Sequence, residues 1–97
     1  MVRTIFLHKV KDFNSWKKAF DNFYDFRKKS GEKSYSCGTV HGDPTNVYVI
    51  NEWESAEKFN TFKNSSDLKN AMKNAGVISE PTITILDEVQ VQVLHEH

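Results

Sequence analysis

The chain predicts an α+β domain: a four-stranded antiparallel sheet carrying two helices on one face, in the order β-α-β-β-α-β. Three observations carry that prediction. Residues 4–10, 34–41, 46–53 and those following Pro81 alternate in side-chain character with period 2, as strands do. Residues 12–30 and 56–75 instead repeat their apolar positions at helical spacing. Turn and stop residues fall at the joints between them: Gly31, the run Gly42-Asp43-Pro44-Thr45-Asn46, and Gly76 with Pro81 beyond it.

In the first strand, Thr4 to Val10, Ile5 and Leu7 face one side while Phe6, His8 and Val10 face the other. The first helix runs from Asp12 to Ser30, with Asp12 or Asn14 available as its cap. At about 100° per residue, Phe13, Trp16, Ala19, Phe20, Phe23, Tyr24 and Phe26 form one wide stripe opposite a lysine- and aspartate-rich face. Arg27 breaks the partition by projecting into the stripe, and Gly31 ends the helix. Ser34 to His41 and Asn46 to Trp53 are strands joined as a hairpin. Ser55 caps a second helix that begins at Ala56 and carries Phe59 and Phe62 inward. Asn64-Ser65-Ser66-Asp67 predicts a kink and restart, after which Leu68, Ala71, Met72 and Ala75 face the core. The last strand starts after Pro81 and alternates through Ile83, Ile85, Val89, Val91 and Val93, longer than one small sheet can use. This order is the ferredoxin-like plan. No third helix exists to cover the other face of the sheet, so a second copy of the chain is expected there, with Val89 to Val93 pairing on the partner.

Length and composition narrow the function classes. The 97 residues make a single domain near the lower size limit for an unstapled core, a further reason to expect a homodimer. Thirteen acidic and thirteen basic residues balance, leaving no global field for nucleic acid or an anionic membrane. No apolar run approaches the roughly 20 residues of a membrane helix, no secretory pattern opens the chain, and Cys37 stands alone, so a cytoplasmic protein is expected. Zinc spacing, a glycine-rich phosphate loop, a nucleophile elbow and an aromatic RNA platform are all missing; no metal and no cofactor is called for.

With these residues in view, the chain resembles the antibiotic-biosynthesis-monooxygenase-like branch of the dimeric α+β barrel superfamily, over about Thr4 to Glu88. The resemblance rests on His8-Lys9-Val10 leading into Asp12-Phe13 and Trp16-Lys17, and on Arg27-Lys28 with Gly31. Asn46 with Glu52-Trp53, and Leu68, Ala71-Met72 and Ala75-Gly76-Val77, complete it. These residues are specific for the fold and do not form a catalytic signature. The resemblance implies a homodimeric barrel and a range of activities: cofactor-independent quinone-forming monooxygenases, haem degraders, isomerases and small proteins of unknown function, the last group being nearest. Haem degraders of this kind place a tryptophan and a ligating histidine where this chain has Phe62 and Met72. A thioether is a weak replacement for a proximal imidazole, so haem chemistry is not expected.

Five residues are candidates for a site, each with a structural reading beside the functional one. His8, in a row with Phe6 and Val10, is either a satisfied buried histidine or a general base lining a cavity. Arg27 must find a carboxylate, a ring face or an anion, the last reading making it an anchor for an acidic or phenolate ligand. Glu52 sits opposite Thr4 in the expected register, about 13 Å along the strand from His8, so no His–Glu dyad follows. It stays a candidate for contacting substrate. Tyr48 is expected beside His8 as its phenolic partner, and Asn51 is either a donor to a substrate oxygen or a strand-end cap. Trp53 is expected in the core beneath the second helix, while His41, His95 and His97 are expected to be incidental. The leading expectation is a homodimer binding a small aromatic or phenolic molecule between sheet and helices, with His8 abstracting a proton, Tyr48 positioning and Arg27 anchoring. Its rival is a non-enzymatic ligand-binding, dimerisation or stress-response module, in which Arg27 pairs with a protein carboxylate.

Overall fold

The hairpin strands β2 (Glu32–Val40) and β3 (Asp43–Trp53) pair with each other, β3 pairs with the N-terminal strand β1 (Val2–Lys9), and β4 (Thr82–Asp87) pairs on the other edge of β1, giving the antiparallel order β2-β3-β1-β4. This computed structural model describes residues 1–92 and 94. The helical segments both come in two pieces: α1 (Phe13–Asn22) with α2 (Tyr24–Lys29), and α3 (Ala56–Lys63) with α4 (Ser66–Asn74). They lie on one face of the sheet, as the ferredoxin-like plan requires. Among the described residues no helix is long and apolar enough to cross a membrane.

The caps follow from the sequence. Asp12 accepts from the Ser15 amide at 2.9 Å, Ser55 from Lys58 at 3.1 Å and Ser65 from Leu68 at 3.2 Å, each meeting an amide that the helix itself leaves unbonded. Gly31, at φ +112°, lets the chain leave α2 and enter β2 within two residues. The break between α3 and α4 falls at Asn64-Ser65 as expected. The break at Phe23 was not expected, since the sequence reads as one helix from Asp12 to Ser30. There the Phe23 amide is shared between the carbonyls of Ala19 and Phe20, tightening the turn, and the Phe20 carbonyl also accepts from Arg27 Nη1. The arginine inside the apolar stripe is thus tied back to the helix that carries it.

The core lies between helices and sheet. Trp53 and Phe59 are fully buried, with Trp53 against Phe62 at 4.7 Å and Phe59 at 5.3 Å between ring centroids. Phe6, Val47 and Val49 fill the sheet side of that layer. On the opposite face, Arg3, Ile5, Leu7, Tyr48, Ile50 and Glu52 are only partly covered. One boundary departs from expectation. The hairpin turn is only His41-Gly42, because Asp43 already pairs with Val40. Within the single chain β4 pairs only as far as Asp87, since β1, its neighbour among the described residues, begins at Val2 opposite that residue; the expected pairing of Val89 to Val93 on a second copy concerns a partner. Val89 and Val91 beyond it are exposed, and Val93 lies outside the described residues.

Candidate functional site

A cavity of about 70 Å³, open to solvent on one side, lies between β1, β3 and the helices. Its wall is overwhelmingly apolar: Phe6, Trp16, Phe20, Phe62 and Met72 contribute most of its character, and His8, Arg27 and Asn51 supply the polar atoms. Strand alternation explains the membership. Thr4, Phe6 and His8 on β1 point to the helices, as do Val47, Val49, Asn51 and Trp53 on β3. The aromatic stripe of α1 then closes the space from above, with Trp16 stacked on Phe20 at 5.0 Å and tilted against the His8 ring at 5.8 Å.

Behind the cavity runs a buried polar ladder. Trp53 Nε1 donates to Thr4 Oγ1 at 3.0 Å, the Thr4 hydroxyl donates to Asn51 Oδ1 at 3.3 Å, and Asn51 Nδ2 donates to Glu32 Oε2. Arg27 Nε donates to the other carboxylate oxygen of Glu32 at 3.0 Å, and both side chains of this ion pair are 3% exposed. The ladder is directional, from a residue that can only donate to a carboxylate that can only accept, so each partner fixes the orientation of the next. The Arg27 guanidinium carbon also lies over the Phe20 ring, 3.7 Å from its centroid, with the Tyr35 ring centroid at 4.9 Å. It therefore meets two of the needs that its position in the stripe imposed, a carboxylate and a ring face.

Three buried polar atoms have no hydrogen-bond partner among the described residues: Nδ1 and Nε2 of His8 and Nη2 of Arg27. Both residues line the cavity. Burial holds the His8 pKa below its ordinary 6.5, so the ring is neutral near neutral pH and carries one N–H donor and one lone pair. Linkage gives the sign of the stability effect. The unfolded chain protonates near 6.5 while the folded chain resists protonation, so stability is lost as pH falls from 6.5 towards the lower folded value. The urea midpoint is expected to drop on acidification through that window, and less steeply in His8→Leu. Equal slopes for the two proteins would exclude a strained neutral imidazole.

Two of the expected site residues are elsewhere. Tyr48 does not pair with His8: it stands opposite Leu7, with Val47 opposite His8, so its ring lies on the other face of the sheet over Gly38. Glu52 shares that open face. It sits opposite Arg3 rather than Thr4, and its pKa is raised by a hydrogen bond shared with Glu88, whose own pKa is lowered there and by Arg3. Asn51, by contrast, reaches the cavity wall. Glu32 escaped the sequence reading. The available signal was Arg27 itself, an arginine in an apolar stripe with a carboxylate five residues on, across the helix-ending Gly31. Phe62 and Met72 both line the cavity, but the space and the thioether do not fit a haem and its proximal ligand.

Comparison with solved structures shows the same fold. An antibiotic biosynthesis monooxygenase structure superposes with a TM-score of 0.72 at 15% identity, over 93% of this chain and 100% of that one. SnoaB, a cofactor-independent oxygenase from Streptomyces nogalater, gives 0.75 at 11% identity over 93% and 94%. A protein of unknown function from Nitrosomonas europaea gives 0.74 at 12% identity over 98% and 95%. No family model matches the chain, and no curated protein matches it. The fold is that of the antibiotic biosynthesis monooxygenase structures, as the residues quoted above implied.

Proposed function

We propose that the protein is a homodimer that binds a small aromatic or phenolic molecule in the cavity between sheet and helices and converts it without a cofactor, with His8 as proton acceptor. The observation that carries this reading is His8: a buried, neutral imidazole with both nitrogens unpartnered, on the wall of an aromatic cavity. A neutral imidazole is the basic form, and among the described residues no polar group engages it, which leaves it free for a group brought by a ligand. Trp16, Phe20 and Phe62 line the cavity with aromatic surface, and Arg27 Nη2 offers a donor to an oxygen.

Proton removal from an electron-rich ring leaves a carbanion that can reduce molecular oxygen directly. In the balanced monooxygenation of a ring CH₂ group, one oxygen atom becomes the product carbonyl and the other leaves as water with the two hydrogens. An isomerisation needs only the return of the proton to a different carbon. The fold shared with a cofactor-independent oxygenase supports the first reaction. The half-covered face bearing Ile5, Leu7, Tyr48 and Ile50 supports a second copy packed there.

One observation favours a non-enzymatic binding or dimerisation module. Arg27 is already paired with Glu32, and about 70 Å³ is small beside the ~300–1,000 Å³ of ordinary ligand pockets. Native mass spectrometry of protein purified without added ligand separates the readings. The enzyme reading expects twice the chain mass with a reproducible small-molecule adduct, and a loss of about 10²–10⁴ in turnover of that compound in His8→Ala. A clean dimer with no adduct favours the module, turnover unchanged in His8→Ala removes the catalytic role, and a monomer removes the dimer.

A further inference from the structure

The charge arrangement around Arg27 deepens the cavity reading and rests on it: we infer that the cavity selects uncharged single-ring carbonyl or phenol compounds and rejects carboxylates, with Glu32 as the residue that sets this discrimination. A lone buried arginine would select anions, which is what its place in the aromatic stripe suggested. Here the guanidinium charge is cancelled from behind. Glu32 lies 3.0 Å from Arg27 Nε, both side chains are withdrawn from water, and Glu32 does not reach the cavity wall. A ligand therefore meets the donor of Arg27 without its net charge. A carboxylate entering an apolar space gives up its hydration and gains no uncompensated counter-charge, while a neutral oxygen gives up far less.

The remaining geometry specifies the acceptor. Phe20 covers one face of the guanidinium at 3.7 Å, Nη1 is committed to the Phe20 carbonyl and Nε to Glu32, which leaves the Nη2 edge. An edge donor approaches in its own plane, the geometry in which a carbonyl or phenolic lone pair accepts. His8, neutral by burial, adds one donor and one acceptor and no charge. Size limits the ring system. A buried apolar cavity of about 150 Å³ holds benzene, and this one has about 70 Å³, so one ring enters with its far edge at the open side or with the flexible Met72 displaced.

Benzamide and benzoate test this, since they share a shape and differ in charge. Each is titrated into the intact protein near neutral pH, following binding by calorimetry and by the His8 and Trp16 ring resonances. Benzamide is expected to bind at least about tenfold tighter, a difference of one decade in Kd. In Glu32→Gln, which keeps an acceptor for Arg27 and removes the negative charge, the preference is expected to vanish or invert. Benzoate binding as tightly as benzamide to the unmodified protein overturns the inference while leaving the cavity as a binding site. An unchanged preference in Glu32→Gln overturns the role of Glu32. If that variant fails to fold, the comparison in the unmodified protein still decides the charge selection. Binding of neither compound, with the His8 and Trp16 resonances unmoved, overturns the cavity reading itself and this inference with it.

Discussion

Glu32→Ala is expected to destabilise the protein by about 3–5 kcal/mol, the range for removing one partner of a buried ion pair. The loss has two parts. The Arg27 guanidinium keeps its charge in a site with 3% side-chain exposure and loses its only carboxylate among the described residues. Asn51 Nδ2 loses its acceptor as well, so the ladder through Thr4 to Trp53 is no longer anchored. Urea denaturation measures the effect. The double variant Arg27→Met, Glu32→Leu is expected to recover most of it, because two apolar chains of similar length remove both charges together. A loss below about 1 kcal/mol in Glu32→Ala would mean that the pair is relaxed by water and does not organise the site.

Trp53→Ala is expected to cost a similar ~3–5 kcal/mol by a different route, the cavity left by a fully buried indole. Its ring packs against Phe59 and Phe62 of α3, at 5.3 and 4.7 Å between centroids, so its removal leaves unfilled space between helix and sheet. For a chain of this length, roughly 4–8 °C of melting temperature goes with each kcal/mol, so the midpoint falls by more than about 12 °C. Trp53→Phe separates volume from hydrogen bonding. It keeps most of the ring and gives up the bond to Thr4, so a loss of about 1–2 kcal/mol is expected. If Trp53→Phe matched Trp53→Ala, the bond to Thr4 rather than packing would carry the residue's contribution.

The order of elements was legible because each joint carries its own chemistry. Ser55, Ser65, Asp12, Gly31 and Gly76 mark their ends by capping or by positive φ, local effects that need no knowledge of the rest of the chain. The break at Phe23 has no such residue. There the structure instead shows the Phe23 amide shared between two carbonyls and Arg27 bonded both to Glu32 and to the Phe20 carbonyl, contacts between segments that no local signal encodes. That His8, Arg27 and Asn51 face the helix side of the sheet was legible, His8 and Asn51 from apolar neighbours in strand alternation and Arg27 from its place in the aromatic stripe. Tyr48 was placed a residue out of register: a one-residue change in pairing exchanges the two faces, and with Trp53 in the core the alternation sets Tyr48 on the far face, opposite Leu7. Glu32 was hidden by its position at the very start of β2, where a sequence reading sees a solvated loop carboxylate.

The central place of β1 in the sheet has a consequence for synthesis on the ribosome. Its pairing with β3 becomes available once Trp53 has emerged, but its other edge waits for β4, and the contact of Arg3 with Glu88 joins residues 85 apart. At translation rates of about 5–20 residues per second, the intervening stretch takes seconds to make. During that interval the nascent chain presents an unpaired strand edge of the kind that templates aggregation. A chain lacking Thr82–Asp87 keeps the β4-facing edge of β1 unpaired, and is expected to aggregate more readily than the full chain.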